Sequence, residues 1–294
     1  MNLDKFTITL APREEQAREL DADFTVEAEY GDSCIEGKKQ TLAHHGSRSH
    51  NPAPCNWDVK PEDGGSILIS HIDLDTIGGV LAITGDKIED PEFWRGAEHL
   101  DVYGPHHIHD LSPEVQDQLN AVDAWEESLE THGFESPADV KELVRNYAEF
   151  LEKVLNMDHP EHLQVIGRGR EWATAAVRET EQRCVFENEL VRAFRTDGPF
   201  CSAAYYSPRQ GMIIPCTISF HEQFGSITVA FADGGREKGG ALSAREIVQE
   251  LWGPLAGGRD GIAGSPRGQK MTEKDFRQCI DRCMEKLKEN EEMN

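Results

Sequence analysis

No run of apolar residues in this chain approaches the roughly 20 needed to cross a bilayer as a helix, so no membrane association is expected. The opening stretch MNLDKFTITLAPREEQ lacks a basic segment followed by an apolar one, and it does not read as a secretory signal. The 7 cysteines are scattered, odd in number and without a CxxC pair, which argues against a disulfide framework. Cys279 and Cys283 are spaced one helical turn apart, as neighbouring thiols in a reducing compartment would be, and the expected location is cytoplasmic. Basic residues are scarce: 30 Lys and Arg face 54 Asp and Glu, for a formal charge of −24. Such a surface repels long nucleic acids, whose binding relies on many cationic contacts to phosphate. A small phosphorylated molecule or a short oligonucleotide is still allowed where cations offset the charge locally.

What the chain has is length and a core. Its 294 residues, 38% of them hydrophobic, suffice for one large domain or two ordinary ones. KFTITLAP and DFTVEAEYG alternate apolar and polar residues and are predicted to be strands, followed by TLAHHGSRSHNPAPCNWD as a loop. The β-branched run Ile67 to Ile69 reads as a buried strand, with a helix starting near Thr76. That is the opening of an α/β unit, in which ligands gather beyond the carboxyl ends of the strands. Helices are expected in LSPEVQDQLNAVDAWEESLETHG and in SPADVKELVRNYAEFLEKVLNM, whose apolar residues share one stripe. WATAAVRETEQRCVFENELV continues as helix, with GRGR at 167–170 as a hinge or a domain joint. From about Val191 the segments VRAFRT, CSAAYYS, GMIIPCTISF and GSITVAFADGG read as strands, before a short helix, a glycine-rich loop and a closing acidic helix. The expected fold class is α/β. An N-terminal parallel-sheet α/β domain would span 1–185, with 1–60 as an extra β segment. A smaller C-terminal α+β domain would span 186–294, with the active cleft between the two.

Four segments carry residues in patterns that suit chemistry. His71, Asp73 and Asp75 alternate directly after the buried strand, where extended geometry lets all three converge. A mixed imidazole and carboxylate set suits Mn, Fe or Zn better than Ca. The plainer alternative is a polar turn whose aspartates cap the next helix. HLDVYGPHHIHDL holds His106, His107 and His109 beside Asp101 and Asp110, a density that points to metal or acid–base work. Asp123 lies on the apolar stripe of its helix, where it either binds metal or pairs with an Arg. GGRDGIAG adds exposed backbone amides at Gly257 and Gly258 and a planar cation at Arg259, after a helix carrying Arg245.

Together these segments resemble the DHH phosphoesterase superfamily, in its nanoRNase-like branch. SHIDLDTIGG is similar to the first metal motif of that branch. GPHHIHD stands where the family carries Asp-His-His, and NAVDAW resembles its later metal-binding aspartate. LSAREIVQELWGPLAGGRDGIAG resembles the DHH-associated C-terminal domain, whose glycine-rich loop binds substrate phosphate. The resemblance implies His71, Asp73, Asp75, His107 and Asp123 as ligands of Mn2+, with Mg2+, Fe2+ or Zn2+ as alternatives. It implies His106 for acid–base or charge-stabilising work and the glycine-rich loop, with Gly257 and Gly258, for substrate binding; Arg259 and Arg245 are candidates for the same phosphate by their own chemistry. Asp101 is the residue available to replace the family's bridging aspartate. Pro105 and Arg259 depart from the family pattern, which leaves one ion or two open, and residues 1–60 fall outside it. Their AHHGSRSHNPAPC loop could cover the cleft as a lid or be ordinary surface.

The function these features imply is metal-dependent hydrolysis of a small phosphate ester, nucleotide or short oligonucleotide, with a homodimer allowed. The competing readings are a ligand-sensing module that has lost a metal, and a metal-dependent C–N hydrolase.

Overall fold

Gly65–Ile69 forms the strand around which the first half of the chain is organised. The computed structural model describes residues 1–30, 33–45, 48–129, 137–196, 214–232, 242–266 and 268–293. It divides into two compact units, Met1–Ala173 and Thr174–Asn294. In chain order the first unit has β1 (Phe6–Leu10), α1 (Glu14–Arg18), β2 (Phe24–Val26), β3 (Glu29–Tyr30), β4 (Ser33–Cys34), β5 (Gln40–Leu42) and β6 (Gly65–Ile69). The helices α2 (Leu74–Thr84), α3 (Pro91–Tyr103), α4 (Pro113–Ser128), α5 (Pro137–Leu155) and α6 (His162–Gln182) follow.

The main sheet runs β1-β6-β2-β5 and every pairing in it is parallel. The inner strand β2 and the end of β6 are buried on both faces, as parallel strands usually are, while the edge strand β1 alternates and exposes Thr7. Ile67 and Ile69 face the main core with Phe24, Val26 and Leu42, whereas Leu68 joins a smaller cluster with Ala11, Ala17 and Ala28. Residues 1–60 therefore supply three of the four strands, so they are integral to the sheet and not an added segment. The expected loop 41–58 begins inside β5 and includes a 3-10 turn at Pro54–Asn56.

Local chemistry sets the helix starts. Asp73, Asp90 and Ser112 each accept a hydrogen bond from the backbone three residues on, which satisfies an otherwise orphaned N–H. Pro sits in the first turn of α3 and α4, where no N–H is needed. Helix α2 thus begins at Leu74, two residues before the expected start, and ends at Gly85 with φ 74°.

The expected hinge GRGR is continuous helix. A Cβ at Gly169 would lie 2.5 Å from the backbone nitrogen of Ala121, so glycine is there to let α6 approach α4 closely. The division between the units falls within α6, before the expected boundary at 185/186.

In the second unit, CVFENELV is not helix. It contains β7 (Cys184–Glu187), a turn in which the Asn188 side chain accepts from Leu190 and Val191 amides, and the start of β8 (Val191–Thr196). With β9 (Cys216–His221), β10 (Ser226–Phe231), β11 (Gly257–Gly258) and β12 (Ile262–Gly264) these form a mixed sheet, ordered β11-β12-β10-β9-β8-β7. Helices α7 (Ala244–Trp252) and α8 (Glu273–Met293) pack on it through Ile247, Val248, Phe276, Cys279 and Cys283. The expected CSAAYYS strand lies outside the described residues. No described helix is long and apolar enough to cross a membrane.

Glycine also sets the packing beside α2. A Cβ at Gly78 would stand 2.5 Å from the Cβ of Cys55 and 2.8 Å from the Trp94 ring. We expect Gly78→Ala to cost a net of about 1–2 kcal/mol, overpacking outweighing the gain in helix propensity. Thermal unfolding checks this, and a midpoint at or above the parent's would show that the Cys55 segment yields.

Candidate metal centre

All strands of the main sheet end at the same edge, and three of them end in ionisable residues. Strand β2 runs into Glu27, β5 into Ala43, His44 and His45, and β6 into Ser70 and His71. Helix α2 begins just beyond β6 and brings Asp73 and Asp75, and α3 brings Asp101 from its last turns. Glu27 is 1% exposed, His44 4% and Asp75 6%.

His44 Nε2 lies 3.5 Å from Glu27 Oε1, 3.4 Å from Asp75 Oδ2 and 3.2 Å from Asp101 Oδ2. One imidazole nitrogen carries at most one proton, so it cannot serve three carboxylates at once. On the other side of the group, His45 Nε2 is 2.8 Å from Glu27 Oε2. Glu27 Oε1 is buried and accepts no hydrogen bond among the described residues. Neither Glu27 nor Asp75 pairs with Lys or Arg among those residues; their ion-pair partners are histidines. Buried carboxylates in such a state are normally neutralised or bound to a cation. The ligand atoms of Glu27, His44 and His45, and those of His44, Asp75 and Asp101, each lie within 4.8 Å of one another. An orphaned buried oxygen within a compact mixed N/O donor set fits a divalent ion of the Mn, Fe or Zn kind.

The electrostatics agree with that fit. Burial, then the charges of Asp73 and Glu27, push the Asp75 carboxyl up to about 8 against the Cys55 amide that donates to it at 2.8 Å. Burial likewise raises Glu27, although His45 opposes it. Asp73 goes the other way. Burial would raise it, but the hydrogen bond and charge of His71, with the Thr76 amide, bring it down to about 2.

The structure places each sequence-predicted residue as follows. His71 and Asp73 are paired, Nε2 to Oδ2, at 2.9 Å, while Asp73 Oδ1 also caps α2 through Thr76 at 2.8 Å. The capping and ligand readings of Asp73 are thus both visible in its two oxygens. Asp75 and Asp101 meet at His44. His107 does not join them; it is grouped with His99 and Asp110. The side chain of His106 lies outside the described residues. Asp123, on α4, is solvent-accessible, yet the protein crowding its remaining sides pushes its carboxyl up to about 7. It makes no ion pair among the described residues, so the expected alternative of an Arg partner is not seen.

The remaining predicted residues are in the second unit, where the glycine-rich loop is instead a strand pair. Gly257 and Gly258 pair with Gly264 and Ala263, and the Arg259 amide donates to the Ile262 carbonyl at 2.7 Å. That amide is committed to the turn. The side chains of Arg245 and Arg259 are half-buried.

Glu27, His44 and His45 are the residues that sequence reasoning missed at the sheet edge. A signal existed for the pair: two adjacent histidines directly after the apolar end of a strand. Glu29 holds them in place, accepting the His44 amide at 3.1 Å and the His45 amide at 3.2 Å. Asn51 ties the preceding Ala43 carbonyl from the other side, at 2.9 Å.

No family model matches the chain, and no curated protein matches it in sequence. Similar solved structures include PggH, a pGpG-specific phosphodiesterase from Vibrio cholerae, at 10% identity and TM-score 0.48, covering 96% of this chain and 90% of that one. An exopolyphosphatase-related protein from Bacteroides fragilis is similar at 12% identity and TM-score 0.30, covering 87% of this chain and 65% of that one. An uncharacterized protein from Helicobacter pylori G27 is similar at 12% identity and TM-score 0.25, covering 95% and 83%.

Two outcomes follow from the geometry. Glu29→Gln loosens the backbone that aims His44 and His45, and should weaken Mn2+ binding by about tenfold to a hundredfold, as loss of a ligand-orienting partner does. Calorimetric titration checks it, and unchanged affinity would leave Glu29 a purely local cap. Glu126, on α4, accepts from Tyr147 Oη, and burial pushes its carboxyl from 4.5 up to about 8. Ionising it therefore costs the folded state more than the unfolded chain. Its contribution is intact below about pH 4.5 and is lost as pH rises towards about 8. The unfolding midpoint of metal-free Glu126→Gln should rise relative to the parent's across that window, and parallel pH profiles would refute this.

Proposed function

We propose that this chain is a divalent-metal-dependent phosphoesterase acting on a small phosphate ester, nucleotide or short oligonucleotide, with Mn2+ as the preferred ion. The observation that supports it most is the convergence of Glu27, His44, Asp75 and Asp101 at the carboxyl edge of the parallel sheet, with atoms at ligand distances and no Lys or Arg pairing Glu27 or Asp75. SHIDLDTIGG, one of the two more specific motifs of the family resemblance, lies on the same edge. Glu27, His44, His45, Asp75 and Asp101 would hold the ion, with His71 and Asp73 beside them. A divalent cation bound there supplies positive charge for a phosphoryl oxygen and an acidified water as nucleophile.

The chain's own residues prepare that site in three ways. His71 is held at both nitrogens, by Ser70 Oγ at 2.7 Å and Asp73 at 2.9 Å, so its ring is oriented and can hold a proton next to the reacting group. Ser70 Oγ donates to the Glu27 carbonyl, which fixes the two strand ends relative to each other. Cys55 donates to one Asp75 oxygen and leaves the other turned towards His44. In the second unit the proposal gives Arg245, and Arg259 beside Gly257 and Gly258, to binding the substrate's phosphate. Their test is a rise in KM on Arg259→Ala.

Metal-stripped protein reloaded with Mn2+, Mg2+, Fe2+ or Zn2+ and assayed on short phosphodiesters tests the whole reading. We expect turnover to follow metal content, and Asp75→Asn to lose both the ion and about a hundredfold or more of kcat. Full turnover after metal removal would end the proposal. Bound metal with no hydrolysis of any phosphoester would point instead to a ligand-sensing module.

A further inference from the structure

A second group of ligating side chains stands apart from the sheet edge. His99 lies late in α3, and His107 and Asp110 lie in the 3-10 turn Pro105–Asp110 that follows it. His107 Nδ1 is 2.6 Å from Asp110 Oδ2, and His99 Nε2 is 3.7 Å from the same oxygen. All three ligand atoms lie within 4.8 Å of one another. The Tyr103 ring packs against both imidazoles, at 4.9 and 5.8 Å between centroids, and forms one wall of the group.

This group does not share an ion with the first centre. Glu98 and Asp101 occupy the face of α3 turned to the sheet edge: Glu98 accepts from the Ala53 amide and the Asn56 side chain, and Asp101 reaches His44. His99 is two positions from Asp101, about 200° away at about 100° per residue, so it projects from a different face. The His107–Asp110 bond alone accounts for two of the three residues. It leaves His99 Nε2 buried without a hydrogen bond of normal length among the described residues. Two imidazoles and one carboxylate form a donor set suited to zinc-like ions and poorly suited to Ca2+ or Mg2+, and three protein ligands leave a coordination position open.

We propose that His99, His107 and Asp110 form a second binding site, for a divalent transition-metal ion of the zinc class, separate from the centre at the strand ends. Bound there, the ion ties the turn that leads into α4 to the end of α3. The inference does not depend on the phosphoesterase reading, because its readout is metal content and not turnover.

The test is zinc stoichiometry on the full chain, measured by mass spectrometry after stripping, reloading with Zn2+ and dialysis. Zinc-dependent thermal unfolding is followed in parallel. We expect His99→Gln and Asp110→Asn each to bind one equivalent less than the parent and to lose part of the zinc-induced rise in Tm. Asp75→Asn should keep the equivalent that those two lose. Asp110 is exposed, so its variant folds and decides the matter if His99→Gln does not. Parental zinc content in Asp110→Asn, or loss of all zinc in Asp75→Asn, would overturn the proposal.

Discussion

Negative charge concentrated at the end of a parallel sheet is the constraint from which the rest of the first unit follows. Glu27, Asp75 and Asp101 crowd one imidazole nitrogen, and two of the three carboxylates are buried. Such a group survives folding only if protons, hydrogen bonds or a cation balance it. The metal-free chain uses the first two. Burial and mutual repulsion hold a proton on Asp75, Cys55 donates to its free oxygen, and Glu29 and Asn51 fix the strand end that carries the histidines. The close packing at Gly78 serves the same end, since it brings the Cys55 segment against α2.

How much of this was legible in the sequence depended on distance along the chain. His71, Asp73 and Asp75 sit within one strand–turn–helix, so alternation and capping chemistry announce them locally. Glu27 and His44 become neighbours of Asp75 only because β2 pairs in parallel with β6, and β5 with β2. Strands of three residues are too short to display a period, and a crossover leaves no local trace. The same limit explains why the sequence groups His107 with Asp75. The motif order of a resembling family suggested it, whereas the helix phase of α3 sends that segment elsewhere. The hinge reading of GRGR fails for a different reason. Glycines in a helix look like a break until the opposing backbone, here Ala121, is known to need the space. In CVFENELV the signal was present, because β-branched and aromatic residues before an Asn turn favour strand.

The makeup of the first unit's candidate centre also fits the chain's acidity. With a formal charge of −24, the protein gains nothing from its general surface in attracting an anion. An anionic substrate needs local positive charge, and the first unit offers imidazoles and carboxylates where arginines might have served. A site built from those groups attracts anions only when loaded with a cation. On the proposed reading, metal binding and substrate binding at this centre would therefore strengthen each other.

Backbone strain sits at the same place. Glu27 is the only non-glycine residue with positive φ among the described residues, at 51°, and one of its carboxylate oxygens is buried without a hydrogen bond. A residue in that conformation costs about 1–3 kcal/mol and persists where its surroundings over-determine it. Those surroundings are visible: the Glu27 amide donates to Leu42 at 2.9 Å, its carbonyl accepts from Ser70, and its carboxylate meets two histidines. The left-handed residue directly follows β2, and its side chain meets His44 and His45. Backbone strain, desolvated charge and an unbonded oxygen therefore coincide in one residue. A ligand that balanced the charge would act on all three, which couples folding to metal binding more tightly than a surface site could.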